Sequence, residues 1–179
     1  MESKVINPSL KTEVETRRAV FPIARPRRMR QSAALRRMVR ETELNPEDFI
    51  YPLFVRPGRD IAAQIRSMPG VNQWSVDRLP GLMKEVSSLG VPAVILFGIP
   101  SEKDPIGLEN FSPNGIVQQA IRAIKDAAPE MLIMTDVCLC EYTDHGHCGL
   151  LNTGSPLPQP HLPEGYVLND PTLEILGQV

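Results

Sequence analysis

Aromatic residues are scarce in this chain, 5 % of the whole with a single Trp, and no apolar run approaches the ~20 residues of a membrane-spanning helix. The amino terminus also lacks the roughly 7–15-residue apolar core of a secretory signal, so the expected compartment is the cytoplasm, or an equally reducing one, with no membrane partner. No Gly-rich phosphate loop follows any of the apolar runs, which argues against a nucleotide ligand. Internal repeats and low-complexity tracts are absent as well. What is present, 42 % hydrophobic residues with a net charge of −2, suits an ordinary globular core.

That small net charge hides an uneven distribution. Met1 to Arg40 hold eleven Lys or Arg against three Glu, a balance of +8 that leaves −10 for the remainder. A basic arm of this kind can bind nucleic acid. Stacking residues are nearly absent from it, so the reading adopted is no nucleic acid and a solvated or subunit-wrapping arm over 1–42. Within it, Ser32 to Val39 has the pattern of a short amphipathic helix.

Beyond the arm, three apolar runs of strand length, Phe49 to Val55, Ala93 to Gly98 and Leu132 to Val137, are bounded by Pro or Gly and read as strands buried on both faces. Helical patterns separate them. Leu79, Leu82, Met83, Val86 and Leu89 recur at helical spacing and end at Gly90, with Pro80 in the first turns or as a kink; Val117, Ala120, Ile121 and Ile124 form a second stripe. Strands alternating with helices imply βαβ units, a parallel sheet and an α/β fold. Asn169 to Leu176 reads as a further helix opening, with Asp170 as N-cap and Pro171 at the first helical position. The prolines at 156, 158, 160 and 163 mark a rigid extended loop, in which His161 is a surface residue.

All three cysteines lie within the eleven residues Cys138 to Cys148, directly behind the third strand, in Asp136-Val-Cys-Leu-Cys-Glu-Tyr-Thr-Asp-His-Gly-His-Cys-Gly149. If the strand continued through Cys138 and Cys140, both sulfurs would share a face, and the turn-forming Asp144-His-Gly146 would fold Cys148 back towards them. Three converging thiolates favour Zn²⁺ over Mg²⁺ or Ca²⁺. Three protein ligands leave a fourth position open, as in catalytic zinc sites; His145 or His147 as a fourth ligand would close it. Buried or redox-active thiols are the alternative. The paired C-x₂-C knuckles of zinc fingers and ribbons are missing.

This motif, with Thr135 before it, resembles the zinc motif of the porphobilinogen synthase (delta-aminolevulinic acid dehydratase) family. Arg25-Pro-Arg-Arg-Met-Arg30, Tyr51-Pro-Leu-Phe-Val55, Ser67-Met-Pro-Gly-Val71 and Leu96-Phe-Gly-Ile-Pro100 with Lys103-Asp104 resemble blocks of the same family in its own order. The resemblance runs from about Arg25 to Val179. It implies the N-terminal portion of a (β/α)₈ TIM barrel preceded by an extended basic arm, with 43–179 holding about the first four βα units. The implied chemistry is condensation of two 5-aminolevulinate molecules to porphobilinogen for tetrapyrroles, with Zn²⁺ in Cys138, Cys140 and Cys148 polarising one substrate. Asp136 matches an active-site aspartate; a hydrogen-bonded strand-end carboxylate is the plainer role for it. His147 matches a residue that helps bind a second zinc in some members. The arm is expected to embrace a neighbouring subunit of a homo-oligomer.

The family's two Schiff-base lysines have no match. The lysines present, Lys4, Lys11, Lys84, Lys103 and Lys125, do not end an apolar strand, where a desolvated amine would acquire the lowered pKa this chemistry needs. A (β/α)₈ barrel also needs roughly 250 residues. The expectation is therefore a truncated chain, inactive alone, or a zinc-binding half barrel that assembles with a partner. Intact mass spectrometry of the natural gene product separates the two: a mass near twice 19.9 kDa would mean that the missing strands and both lysines exist, and a mass of 19.9 kDa would mean a true half barrel.

Overall fold

The computed structural model describes residues 27–153 and 158–179, so Lys4, Lys11, Arg17, Arg18, Arg25 and Pro156 lie outside the described residues. The chain divides into two compact units, Met1–Glu43 and Leu44–Val179. In the first, helix α1 (Ala33–Met38) forms where the amphipathic pattern predicts one. Ser32 caps it by accepting the Leu35 N–H at 3.2 Å, and none of its residues is buried.

The second unit is built on a five-stranded sheet. Its strands are β1 (Ile50–Arg56), β2 (Ala62–Gln64), β3 (Asn72–Ser75), β4 (Ala93–Gly98) and β5 (Leu132–Thr135), in the order β2-β3-β1-β4-β5. β1 is parallel to β3 and β4, and β4 to β5; β2 alone runs antiparallel, against β3. The three apolar runs thus form the parallel strands expected of them. β2 and β3 have no counterpart among them, because Ala62–Gln64 and Asn72–Ser75 are short and contain no apolar run; β3 pairs with the edge of β1, and β2 with β3.

Helices α2 (Leu79–Ser88) and α3 (Ile116–Ala127) connect β3 to β4 and β4 to β5. Their apolar stripes pack on one face of the sheet: Leu79, Leu82, Met83 and Val86 from α2, and Ile116, Val117, Ala120 and Ile124 from α3, close over Leu53, Val55, Val94 and Leu96. Pro80 lies in the first turn of α2, where its missing N–H has no intrahelical partner, so it does not kink the helix. Gly90, at φ +80°, ends α2; its N–H reaches Ser87 O and the Val91 N–H reaches Val86 O, a Schellman arrangement.

Burial on both faces of the strands is not what the structure shows. Leu53, Val55, Val94 and Leu96 are fully buried under the helices, whereas Phe54, Ile95 and Phe97 on the other face are only half-buried and Leu132 and Met134 are exposed. Phe54 and Phe97 stack there with centroids 5.0 Å apart. No described helix covers that side. The interior of a closed barrel would be lined by the same side chains.

The last helix, α4 (Asn169–Leu176), also departs from expectation. Its N-cap is Leu168, and Asp170 accepts from the Asn169 side chain at 2.8 Å instead of capping the helix. Pro171 consequently sits third in the helix, where a missing N–H still costs no intrahelical bond. Among the described residues, no helix is long and apolar enough to cross a membrane.

Candidate metal centre

The parallel register of β4 and β5, Leu96 opposite Thr135, brings the carboxyl ends of these strands level. Asp136 adds one more ladder bond, its N–H donating to Leu96 O at 3.1 Å. There the strand ends. Cys138 and Cys140 therefore do not share a strand face as the period-2 argument supposed; a tight turn gathers them. Leu139, fully buried, anchors it, and its carbonyl accepts the N–H groups of both Tyr142 and Thr143 at 2.9 Å.

Cys148 returns through the expected turn. Gly146 adopts φ +71°, a left-handed conformation that glycine takes without strain, and the Thr143 hydroxyl donates to His147 O at 2.9 Å. The three sulfurs all lie within 4.8 Å of one another, with Cys138 Sγ 3.3 Å from both Cys140 Sγ and Cys148 Sγ. All three are free thiols. Tetrahedral ligation with Zn–S bonds of ~2.3 Å needs sulfurs roughly this close. Among the described residues, no carboxylate or imidazole joins the group.

His145 and His147 contribute differently. Both ring nitrogens of His145 are engaged: Nδ1 accepts the His147 N–H at 3.1 Å, which leaves Nε2 to donate to Pro105 O at 3.2 Å. Its imidazole is a strut of the turn, with no nitrogen left for a metal. The His147 ring is exposed, 5.7 Å from that of His145, and outside the sulfur group. Asp136 is half-buried beside Glu141, and His161 is exposed in the proline-rich loop.

Electrostatics among the crowded thiols oppose ionisation. The Cys140 thiol is pushed up to about 12, first by its hydrogen bond with Cys138 and then by burial; Cys148 is raised as well, chiefly by its hydrogen bond with Cys138. Crowded thiols cannot all become thiolates without a compensating cation, and a bound dication inverts that balance. Glu141 is raised to about 7, by burial first and by the Asp136 charge second.

A neighbouring loop moulds this one. Asp104 accepts the N–H groups of Ile106 and Gly107 at one carboxylate oxygen and that of Leu108 at the other, each at 2.9 Å. Its backbone receives the Asp144 N–H and donates to Tyr142 O, both at 3.2 Å. Asn110, 3 % exposed, donates through Nδ2 to Cys138 O at 2.9 Å. Sequence reading gave Asp104 and Asn110 no structural role, because the groups of the cysteine loop that they bond lie 28 or more residues away. On the far side, Thr172 of α4 accepts the Leu150 N–H at 2.9 Å and donates to Leu168 O, tying down the residues after Cys148.

The whole of this framework falls inside one family match, as the model of delta-aminolevulinic acid dehydratase covers residues 23–179. The chain belongs to the delta-aminolevulinic acid dehydratase family. It is 53 % identical over 157 residues to the delta-aminolevulinic acid dehydratase of Synechococcus elongatus, a match over 88 % of this chain and 46 % of that protein. Against the Bacillus subtilis dehydratase it is 48 % identical over 154 residues, 86 % of this chain and 44 % of the other. It also superimposes on the Toxoplasma gondii ME49 delta-aminolevulinic acid dehydratase (porphobilinogen synthase), solved with the reaction product porphobilinogen. That match has a TM-score of 0.75 at 34 % identity and covers 87 % of this chain and 42 % of the other. The sheet is accordingly part of that family's TIM barrel. The chain spans about half the length of the relatives it matches.

Gly98, at the end of β4, tests how tightly the loop is seated. A Cβ built there would overlap the Tyr142 hydroxyl and come within 2.8 Å of Val117 Cγ2. Gly98→Ala is expected to destabilise by about 1–3 kcal/mol in denaturant melts, the usual cost of overpacking. Tyr142→Phe in the same chain should recover part of the loss; no recovery would mean that the hydroxyl is not the obstruction.

Proposed function

We propose that this chain is the metal-binding portion of a porphobilinogen synthase, with 1–42 as the arm and 43–179 as barrel. The reaction condenses two 5-aminolevulinate molecules to porphobilinogen, with loss of two waters, in tetrapyrrole (heme) biosynthesis. One observation carries the reading: three thiols 3.3–4.8 Å apart at the carboxyl ends of parallel strands, where barrel enzymes assemble their sites. Zn²⁺ held by Cys138, Cys140 and Cys148 would supply Lewis-acid polarisation of one substrate's oxygen.

The chain's own residues do the remainder. Leu139, buried between two ligands, keeps their backbone in the turn, and His145 braces the return to Cys148. Three sulfur ligands leave one position for substrate or water. Asp136, two residues before Cys138, is placed to orient a water or a substrate amine, and His147, exposed at the rim, is available to a second zinc. We assign the protein to the cytoplasm and to a homo-oligomer held through its arm.

Schiff-base chemistry has no donor among the described lysines. Lys84 lies on α2, Lys103 is exposed in the loop after β4, and Lys125 donates to Pro129 O and Met131 O, at the opposite end of the sheet from the thiols. The polypeptide Met1–Val179 is inactive on this reading.

Two outcomes are expected. Cys148→Ser in the natural gene product should lower zinc content and porphobilinogen formation by more than the roughly 10–100-fold typical of outer-shell changes; unchanged zinc and rate would remove the thiols from the site. Purified Met1–Val179 should form no porphobilinogen in a colorimetric assay, and measurable product would contradict the assignment of the lysine chemistry elsewhere.

A further inference from the structure

We infer that Asn110 is a positioning residue for the metal centre, setting the geometry of the Cys138–Cys140 pair through the Cys138 carbonyl. This rests on the reading of Cys138, Cys140 and Cys148 as zinc ligands. The last sheet bond is made by Asp136, so two residues later the chain has no strand to hold it. Cys138 O would there be an acceptor without a ladder partner. The Asn110 side chain meets it at 2.9 Å while being 3 % exposed, so the amide is shielded from water.

The consequence is geometric. Fixing the Cys138 carbonyl fixes the peptide plane between Cys138 and Leu139, and with it ψ of one residue and φ of the next. Leu139 is itself immobilised by complete burial. The Cα–Cβ directions of both flanking cysteines then follow, and the sulfurs meet before any metal arrives. Asn110 is in turn held at both backbone groups. Its main-chain carbonyl accepts Gln118 Nε2 at 2.8 Å and its N–H donates to Gly107 O at 3.1 Å; Gly107 sits at φ +70°, where a Cβ would also lie a tight 3.1 Å from Tyr142 Cβ.

Two other contacts join the same loops, Asp104 with Tyr142 and Asp144, and Pro105 with His145. Only Asn110 acts on a cysteine directly. Asp104 and Pro105 hold the loop; Asn110 aims its ligands. Outer-shell groups of this kind typically change metal affinity by roughly 10–100-fold.

The test is a Co²⁺ and Zn²⁺ titration of the natural gene product, reading the thiolate-to-cobalt charge-transfer absorption, which counts bound sulfurs. Asn110→Asp keeps the shape and replaces the donor by an acceptor. It should weaken Zn²⁺ binding about 10–100-fold and lower the absorption per cobalt from three thiolates towards two. Should its metal-free circular dichroism show misfolding, Asn110→Ser, uncharged and too short to reach the carbonyl, carries the same expectation. Leu82→Ala, a core change in α2 far from the loop, should leave the cobalt spectrum unchanged. Asn110 variants that bind like wild type overturn the assignment, as does an equal spectral loss in Leu82→Ala. Wild-type protein that shows no thiolate-to-cobalt absorption overturns the metal reading itself, and the role of Asn110 with it.

Discussion

The parallel pairing of β4 with β5 is the constraint on which the site depends. Leu96 opposite Thr135 sets the level at which both strands end, and everything chemical lies beyond that level. The loop leaving β4 carries Asp104, Pro105 and Asn110; the loop leaving β5 carries the three cysteines. A one-residue slip would turn Ile133 away from the core and remove the Asp136 bond to Leu96 O, from which the cysteine turn begins. Burial of Val94, Leu96, Val117 and Ile124 fixes that register, so the core under α2 and α3 also determines where the thiols meet.

The thiols form a site that is poised against its own charge. Cys140 is held towards the protonated form by Cys138 first, then by burial and by Cys148, and Cys148 chiefly by its hydrogen bond with Cys138, while the backbone keeps the three sulfurs close regardless. Geometry therefore favours a cation and electrostatics penalise its absence. The histidines, attractive as ligands on spacing, both stay out of the group: His145 is used up at both ring nitrogens, and the His147 ring lies outside the three sulfurs. Neither imidazole therefore closes the fourth position that the proposed chemistry would require.

Much of this was legible in the chain. Apolar runs bounded by Pro or Gly announced β1, β4 and β5, stripes of period 3.6 announced α2 and α3, and the clustering of every cysteine announced the candidate centre. Features that escaped are those with no local signature. β3 takes its conformation from the edge of β1 and β2 from β3, and the cysteines converge through a turn about Leu139, not through a continued strand. Asp170 has the composition of an N-cap, but Leu168 takes that place because its carbonyl and N–H are both already committed, to Thr172 and to Leu150 O. Asn110 is a polar residue in a loop until the fold sets it against Cys138, 28 positions away.

The central claim is that Cys138, Cys140 and Cys148 bind one zinc ion and leave one position open. X-ray absorption at the zinc edge of the purified natural gene product tests this most directly. Three sulfurs at ~2.3 Å with one lighter oxygen or nitrogen atom is the predicted shell. A shell of nitrogen and oxygen alone, or protein that holds no zinc, would contradict it.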